Sequence, residues 1–116
     1  MTQKLPAAGT TVRPPVRVVL VDDHRMFRTG VRAELTEAMG AAAGPAVCDF
    51  VGEAPDVDSA IAVIRAERPD VVLLDVHLPG GSGNGGGDVI HGCFGVGTAA
   101  GAPVRFLALS VSDAAE

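Results

Sequence analysis

The run Val16–Val21 (VRVVLV) is rich in β-branched residues and is followed at once by two acids, Asp22 and Asp23. A second apolar run, Val71–Val76 (VVLLDV), carries Asp75 near its carboxyl end. Short continuous apolar runs of this kind are typical of strands that are buried on both faces of a parallel sheet. The two runs therefore predict two buried parallel strands with carboxylates at their carboxyl ends.

The remaining segments alternate between helical and strand patterns. Helices are predicted over Arg25–Met39, from Asp56 or Asp58 to a stop at Pro69, and for a turn or two within Asp88–Phe94; strands are predicted over Ala46–Gly52 and Val104–Ser110. The first helix is expected to turn Arg25, Arg28 and Arg32 to solvent. The order β-α-β-α-β-(α)-β predicts an α/β fold in which helices cover both faces of a parallel sheet.

Two segments lack this periodicity. Met1–Pro15 mixes Pro, Thr, Gly and Ala and is predicted to be a disordered leader, which leaves residues 16–116 as one domain. The stretch Gly80–Gly87 (GGSGNGGG) is predicted to be a flexible loop.

Composition excludes several classes of function. The net charge of −5 argues against non-specific nucleic-acid binding. Cys48 and Cys93 are too few for a disulfide scaffold or a zinc cluster, and each is expected to be a buried thiol. Because the sequence contains neither a signal-peptide pattern nor a membrane-spanning apolar stretch, we expect a soluble cytoplasmic protein without membrane contact.

Four polar side chains fall at or near the carboxyl ends of the predicted strands: Asp22, Asp23, Asp75 and Ser110. Ligands of open α/β sheets bind at that edge, and three carboxylates that meet there repel one another unless a cation lies among them. Mg²⁺ suits such oxygen ligands. Asp75 would then be a nucleophile toward phosphorus, and Ser110 would donate a hydrogen bond to a phosphoryl oxygen. The alternative is that the acids are ordinary loop and cap residues.

Three segments resemble the response-regulator receiver domains of two-component signalling. Val18–His24 (VVLVDDH) resembles their opening, Val71–Gly80 (VVLLDVHLPG) the segment with the phosphorylated aspartate, and Leu107–Ser110 (LALS) the strand with the switch Ser or Thr. The segments come in family order. The Asp-Asp-His beginning is most similar to receivers joined to a helix-turn-helix DNA-binding domain in bacterial transcription regulators.

The resemblance implies a flavodoxin-like (CheY-like) doubly wound parallel sheet with strand order 2-1-3-4, about four of the family's five strands. The family's lysine and aromatic switch residue follow a fifth strand, whereas the single lysine here, Lys4, precedes the first strand. We therefore expect a receiver domain that is truncated after its fourth strand. Its open sheet edge is expected to favour a homodimer or a strand-exchanged oligomer.

The resemblance also implies a mechanism. Asp75 would accept a phosphoryl group from a sensor histidine kinase, and Ser110 would contact that group and shift with it. Mg²⁺ would be bound by Asp22 and Asp23, one of them through water, by Asp75, and by the backbone carbonyl of His77. No organic cofactor and no turnover of an external substrate are expected. DNA would be contacted only through a C-terminal domain that lies outside this chain.

Two other functions remain open. A degenerate receiver would bind a partner without phosphorylation, an interpretation that the missing lysine favours and the intact acids oppose. A phosphatase of the haloacid-dehalogenase class would carry Asp-x-Asp after a strand, whereas His77 occupies the second position after Asp75 here.

Overall fold

The computed structural model describes residues 14–38 and 48–109. Pro14 and Pro15 are exposed and lie outside regular secondary structure. The rest of the predicted leader falls outside the described residues, as does Ser110, so the leader, the domain bounds and the position of that serine stay predictions.

Four strands and three helices alternate along the described chain. They are β1 (Val16–Val21), α1 (Arg25–Ala38), β2 (Cys48–Ala54), α2 (Val57–Glu67), β3 (Val71–Asp75), α3 (Gly86–Gly92) and β4 (Arg105–Leu109). The strands form one parallel sheet in the order β2-β1-β3-β4. The predicted α/β class and the order 2-1-3-4 are confirmed.

Alternate residues of the central strands point to opposite faces of the sheet. On one face, Val19 and Val21 join the core that α2 and α3 cover. On the other, Val18 and Leu20 pack against Val31 and Leu35 of α1. Helices therefore cover both faces, which is the doubly wound arrangement. Among the cysteines, Cys93 is buried in the first core as predicted, whereas Cys48 is only half-buried at the start of β2.

β3 and β4 each differ from the predicted bounds by one residue at a described end, and the larger differences are at β2 and α3. β2 extends beyond Gly52 to Ala54 because an extra residue in β2 shifts its register against β1 between Val18 and Val19, and the ladder then continues to the end of β1. The helix predicted over Asp88–Phe94 instead spans Gly86–Gly92. In both places the boundary depends on contacts with distant segments rather than on the local pattern.

β4 differs from the other strands in its exposure. Within residues 14–38 and 48–109 it pairs with β3 alone, and its side chains are exposed or half-buried, with Leu107 55% exposed. Within these residues the sheet therefore ends in an open edge.

Candidate functional site

A cleft of about 540 Å³ opens beyond the carboxyl ends of β1 and β3. We call it the acidic cleft, and its lining residues are Asp22, Asp23, His24, Phe27, Asp75 and His77. β1 and β3 are adjacent parallel strands, so residues that follow one lie beside residues that end the other. The structure thus brings the three predicted carboxylates together.

Asp22 and Asp75 are buried carboxylates, 2% and 8% exposed, and both are oriented in the same way. Oδ1 of Asp22 accepts a hydrogen bond of 2.7 Å from the backbone N–H of His24, and Oδ1 of Asp75 accepts one of 3.0 Å from the backbone N–H of His77. Asp side chains commonly bond the backbone two residues on, and this turns the chain. Each strand therefore ends in a turn that holds its own carboxylate at the cleft.

His24 lies against both acids of the β1–α1 turn. Its Nδ1 is 2.9 Å from Oδ1 of Asp23 and 3.2 Å from Oδ1 of Asp22, although the ring is 74% exposed. One possible ligand atom from each of Asp22, Asp23 and His24 lies within 4.8 Å of the other two. The double contact of His24 with the acids is a feature that only the geometry supplies.

The donor set of the acidic cleft suits a hard divalent cation. Three carboxylates supply oxygen ligands, and the open side of the cleft gives access to water, which Mg²⁺ tends to retain in its coordination shell. The described residues that line the cleft include no lysine or arginine, so no fixed cation there balances the acids. The chemistry of the side chains present therefore fits Mg²⁺.

Arg28 stabilises the β1–α1 turn through hydrogen bonds. Its Nη1 donates to the backbone carbonyl of Asp22 at 2.6 Å, and its Nε donates to Oε1 of Glu53 at 2.9 Å. The side chain is only 13% exposed, so the prediction of a solvated helix face is wrong for Arg28. Arg32 also bonds Glu53, at 2.6 Å. Sequence reasoning missed this network because Glu53 belongs to β2, whose register the local pattern does not set.

The loop between β3 and α3 has a defined geometry despite its glycine content. The Asp88 carboxylate accepts hydrogen bonds from the Ser82 hydroxyl at 2.6 Å, the Ser82 N–H at 2.9 Å and the Asn84 N–H at 3.0 Å. These bonds, the Ser82 hydroxyl first among them, lower the pKa of Asp88. The loop is thereby tied to the first turn of α3.

Gly85 closes that loop against β3. Its φ of +59° lies in the region that side chains rarely adopt, and a Cβ at this position would collide with the backbone oxygen of Val76. The next N–H, of Gly86, donates to the same oxygen at 3.1 Å. The close approach keeps the segment after Asp75 beside the acidic cleft.

Of the predicted site residues Asp22, Asp23, Asp75, His77 and Ser110, the last lies outside the described residues. β4 pairs Leu109 with Asp75 in register, and Ser110 is the next residue in the sequence. Its role at the phosphoryl group stays a prediction.

The sequence model of the response regulator receiver domain family matches residues 18–90 of this chain. This span covers more than half of the chain and includes Asp22, Asp23, Asp75 and His77. The chain therefore belongs to the response regulator receiver domain family, and the predicted resemblance is confirmed.

The names of the curated relatives describe a transcriptional activator and response regulators. The chain is 48% identical over 68 residues to the DNA-binding transcriptional activator DevR/DosR of Mycobacterium tuberculosis, a match that covers 59% of this chain and 28% of the relative. It is 36% identical over 69 residues to the nitrate/nitrite response regulator protein NarL of Escherichia coli, with coverage of 60% and 29%. The chain thus spans less than a third of the length of these relatives.

Solved receiver domains share the fold. The signal receiver domain of NarL from Mycobacterium tuberculosis superposes with a TM-score of 0.65 at 35% identity, covering 87% of this chain and 70% of that one. The receiver domain of RcsB from Salmonella enterica, at 20% identity and a TM-score of 0.64, supports the fold alone; it covers 86% of this chain and 64% of that one. In the part of the chain that the structure describes, no helix combines the length and apolarity needed to cross a membrane. The chain is a receiver domain of two-component signalling.

Proposed function

We propose that Asp75 accepts a phosphoryl group and that the chain thereby acts as a phosphorylation-controlled switch. The observation that carries this proposal is the position of Asp75, a nearly buried carboxylate that still lines the acidic cleft together with Asp22 and Asp23. Carboxylates are known nucleophiles toward phosphorus. Since Oδ1 of Asp75 accepts the N–H of His77, we assign the attack to Oδ2.

The transfer moves one phosphoryl group and needs no oxidant or reductant. Oδ2 of Asp75 forms a bond to phosphorus as the bond between phosphorus and the donor breaks, and the bonding electron pair leaves with the donor. The donor is the phosphorylated histidine of a sensor kinase, whose ring carries a proton on its second nitrogen and therefore leaves as a neutral imidazole. Ser110 donates a hydrogen bond to a phosphoryl oxygen in this proposal.

Mg²⁺ is the proposed inorganic partner of the acidic cleft. Asp22, Asp23, Asp75 and the backbone carbonyl of His77 would hold it, with water between the ion and one of the first two acids. When bound, it would offset the negative charge of the carboxylates and of the incoming phosphoryl group. Asp22 is already oriented for this role by its bond from the His24 N–H.

The proposed cellular setting follows from the family and the relatives. We place the reaction in the bacterial cytoplasm, with transcription regulation as the output. DNA would be contacted through a domain outside this chain, in keeping with the acidic net charge of −5. We also propose that the chain signals rather than turning over an external substrate, because His77 stands where the haloacid-dehalogenase pattern has a second aspartate.

The test is phosphorylation of the full chain by acetyl phosphate, followed by intact-mass spectrometry. With Mg²⁺ the wild type should gain one phosphoryl group, and Asp75→Asn should gain none because the nucleophile is lost. Asp58→Asn removes an exposed acid on α2, outside the cleft, and should behave as the wild type. Equal uptake by Asp75→Asn, or no uptake by the wild type, would refute the proposal.

A second candidate is a degenerate receiver that binds a partner without phosphorylation. It is favoured by the absence of lysine and arginine from the described lining of the acidic cleft and by the position of Lys4 before β1. Wild-type protein that binds Mg²⁺ but takes up no phosphoryl group from acetyl phosphate would support this alternative.

A further inference from the structure

We infer that Arg28 is a positioning residue for the acidic cleft: by bridging the β1–α1 turn to β2, it sets the affinity of the cleft for Mg²⁺. The inference rests on the proposed function in that it takes Mg²⁺ to be the ion bound by Asp22 and Asp23. It concerns a residue that the motifs of the sequence do not single out.

Arg28 holds the turn at both of its ends. The backbone N–H of Arg28 donates to the carbonyl of His24 at 3.0 Å, which forms the first turn of α1. The guanidinium Nη1 reaches back to the carbonyl of Asp22 at 2.6 Å. The segment Asp22–His24, which carries both acids of the turn, is thus fixed between two hydrogen bonds from one residue.

The same side chain ties the turn to the end of β2. The Asp22 N–H donates to the carbonyl of Ala54 at 3.0 Å, and Arg28 Nε donates to Oε1 of the neighbouring Glu53 at 2.9 Å. Without Arg28 the carbonyl of Asp22 would lose a charge-assisted hydrogen bond, and the Asp22–Asp23 peptide could rotate. Rotation would move the Asp23 carboxylate, which is far less buried than that of Asp22.

The effect of Arg28 on the cleft is geometric rather than a matter of charge. Glu53 pairs with both Arg28 and Arg32, at 2.9 and 2.6 Å, so removing either guanidinium takes one positive charge from the same cluster. Arg32, the same residue type one helical turn on, bonds the other oxygen of Glu53 and lies 5.6 Å from the centre of the Phe50 ring. Within the described residues, Arg32 makes no hydrogen bond to the β1–α1 turn, so it offers a control that is matched in charge and in partner.

The experiment measures Mg²⁺ binding by the full chain, from NMR shifts of the Asp23 and His24 amides, in wild type, Arg28→Ala, Arg28→Lys and Arg32→Ala. We expect Arg28→Ala to weaken Mg²⁺ binding by about tenfold or more, the usual effect of losing a group that orients a metal ligand. Arg32→Ala should change it by less than about twofold, since the half-exposed ion pair and the ring contact that it removes do not involve the β1–α1 turn.

Arg28→Lys keeps the positive charge but changes the hydrogen-bonding geometry. It also replaces Arg28→Ala in the experiment if the alanine variant does not fold. A single ammonium cannot bond the Asp22 carbonyl and Glu53 in the fork geometry of a guanidinium, so we expect only partial recovery. In metal-free protein, the Asp22 N–H should exchange with solvent faster in the Arg28 variants than in Arg32→Ala. This readout is independent of phosphorylation.

The outcomes distinguish the positioning role of Arg28 from the proposed phosphorylation of Asp75. If Arg28 and Arg32 variants bind Mg²⁺ equally, the inference is overturned while phosphorylation of Asp75 can still stand. If the wild type takes up no phosphoryl group but its Mg²⁺ affinity depends on Arg28, the positioning role stands and the proposed function fails. If the wild type binds no Mg²⁺, both are wrong.

Discussion

Gly85 shows how one residue keeps the segment after Asp75 in place. With φ at +59° and the Val76 oxygen in the space of a Cβ, a side chain here would meet both backbone strain and a collision. Strain of this kind costs about 1–3 kcal/mol, and the collision adds to it. We therefore expect Gly85→Ala to lower the free energy of unfolding, measured by urea denaturation, by more than about 2 kcal/mol.

Gly83 provides the control for that variant. Its φ is also positive, at +98°, but a Cβ there would meet nothing within 4 Å. Gly83→Ala should therefore show the strain without the collision and lose less stability than Gly85→Ala. If the two variants lose the same free energy of unfolding, the collision with the Val76 oxygen does not contribute to the effect of Gly85→Ala.

At the scale of single side chains, the positions of the acids could be predicted, but their supports could not. Asp22 and Asp75 follow apolar strands, and the carboxyl ends of adjacent parallel strands must meet, so local pattern and topology suffice. The contact between Arg28 and Glu53 joins α1 to β2 and depends on a register that includes an extra residue. No short-range pattern in the sequence carries that information.

Among the elements, α2 has the most clearly defined start. Asp56 caps it by accepting hydrogen bonds from the Ser59 hydroxyl at 2.6 Å and the Ser59 N–H at 2.8 Å, and these bonds lower the pKa of Asp56. Because the pKa is lower in the folded than in the unfolded chain, the ionised carboxylate stabilises the fold above the unfolded value near 4. That contribution is lost as the pH falls through the lowered folded pKa.

We therefore expect the stability difference between wild type and Asp56→Asn to depend on pH. Asparagine is also a good N-cap but does not titrate, so the advantage of the wild type should shrink as the pH falls below about 4. Urea denaturation at a series of pH values measures it, with Asp58→Asn, in the same first turn, as the control. A difference that stays constant across this range would contradict the assigned cap.

The existence and order of the elements could be predicted from the sequence, whereas several of their boundaries could not. β1 matches its predicted bounds because its apolar run is flanked by Pro15 and Asp22, which delimit it locally. α3 begins at Gly86, a poor helix former, because the Gly85–Val76 approach and the Asp88 bonds set where the loop ends. Helix propensity alone gives no reason for that start.

At the scale of the whole molecule, the described sheet has β4 as an edge strand that is unpaired on one side. Leu107 on β4 is 55% exposed, and apolar grooves lie on both sides of the strand, one against Met26 and Leu35 and one against Phe94 and Phe106. Open strand edges with exposed apolar surface favour pairing with another chain. We expect the chain to self-associate through this edge.

Sedimentation velocity on the full chain tests that expectation. Leu107→Glu should raise the dissociation constant by at least about tenfold, because a charge on an edge strand opposes pairing. Ala62→Glu introduces the same charge at an exposed position of α2 and should have little effect. A wild type that remains a monomer at high concentration would contradict self-association.

The central claim is that Asp75 is the residue that receives the phosphoryl group. Borohydride reduces an aspartyl phosphate to homoserine, so wild-type protein treated with acetyl phosphate and Mg²⁺, then with borohydride, can be mapped by peptide mass spectrometry. We predict homoserine at position 75 and at no other acid, and none when Mg²⁺ is chelated. Conversion at another aspartate, or no conversion in protein that binds Mg²⁺, would contradict the account.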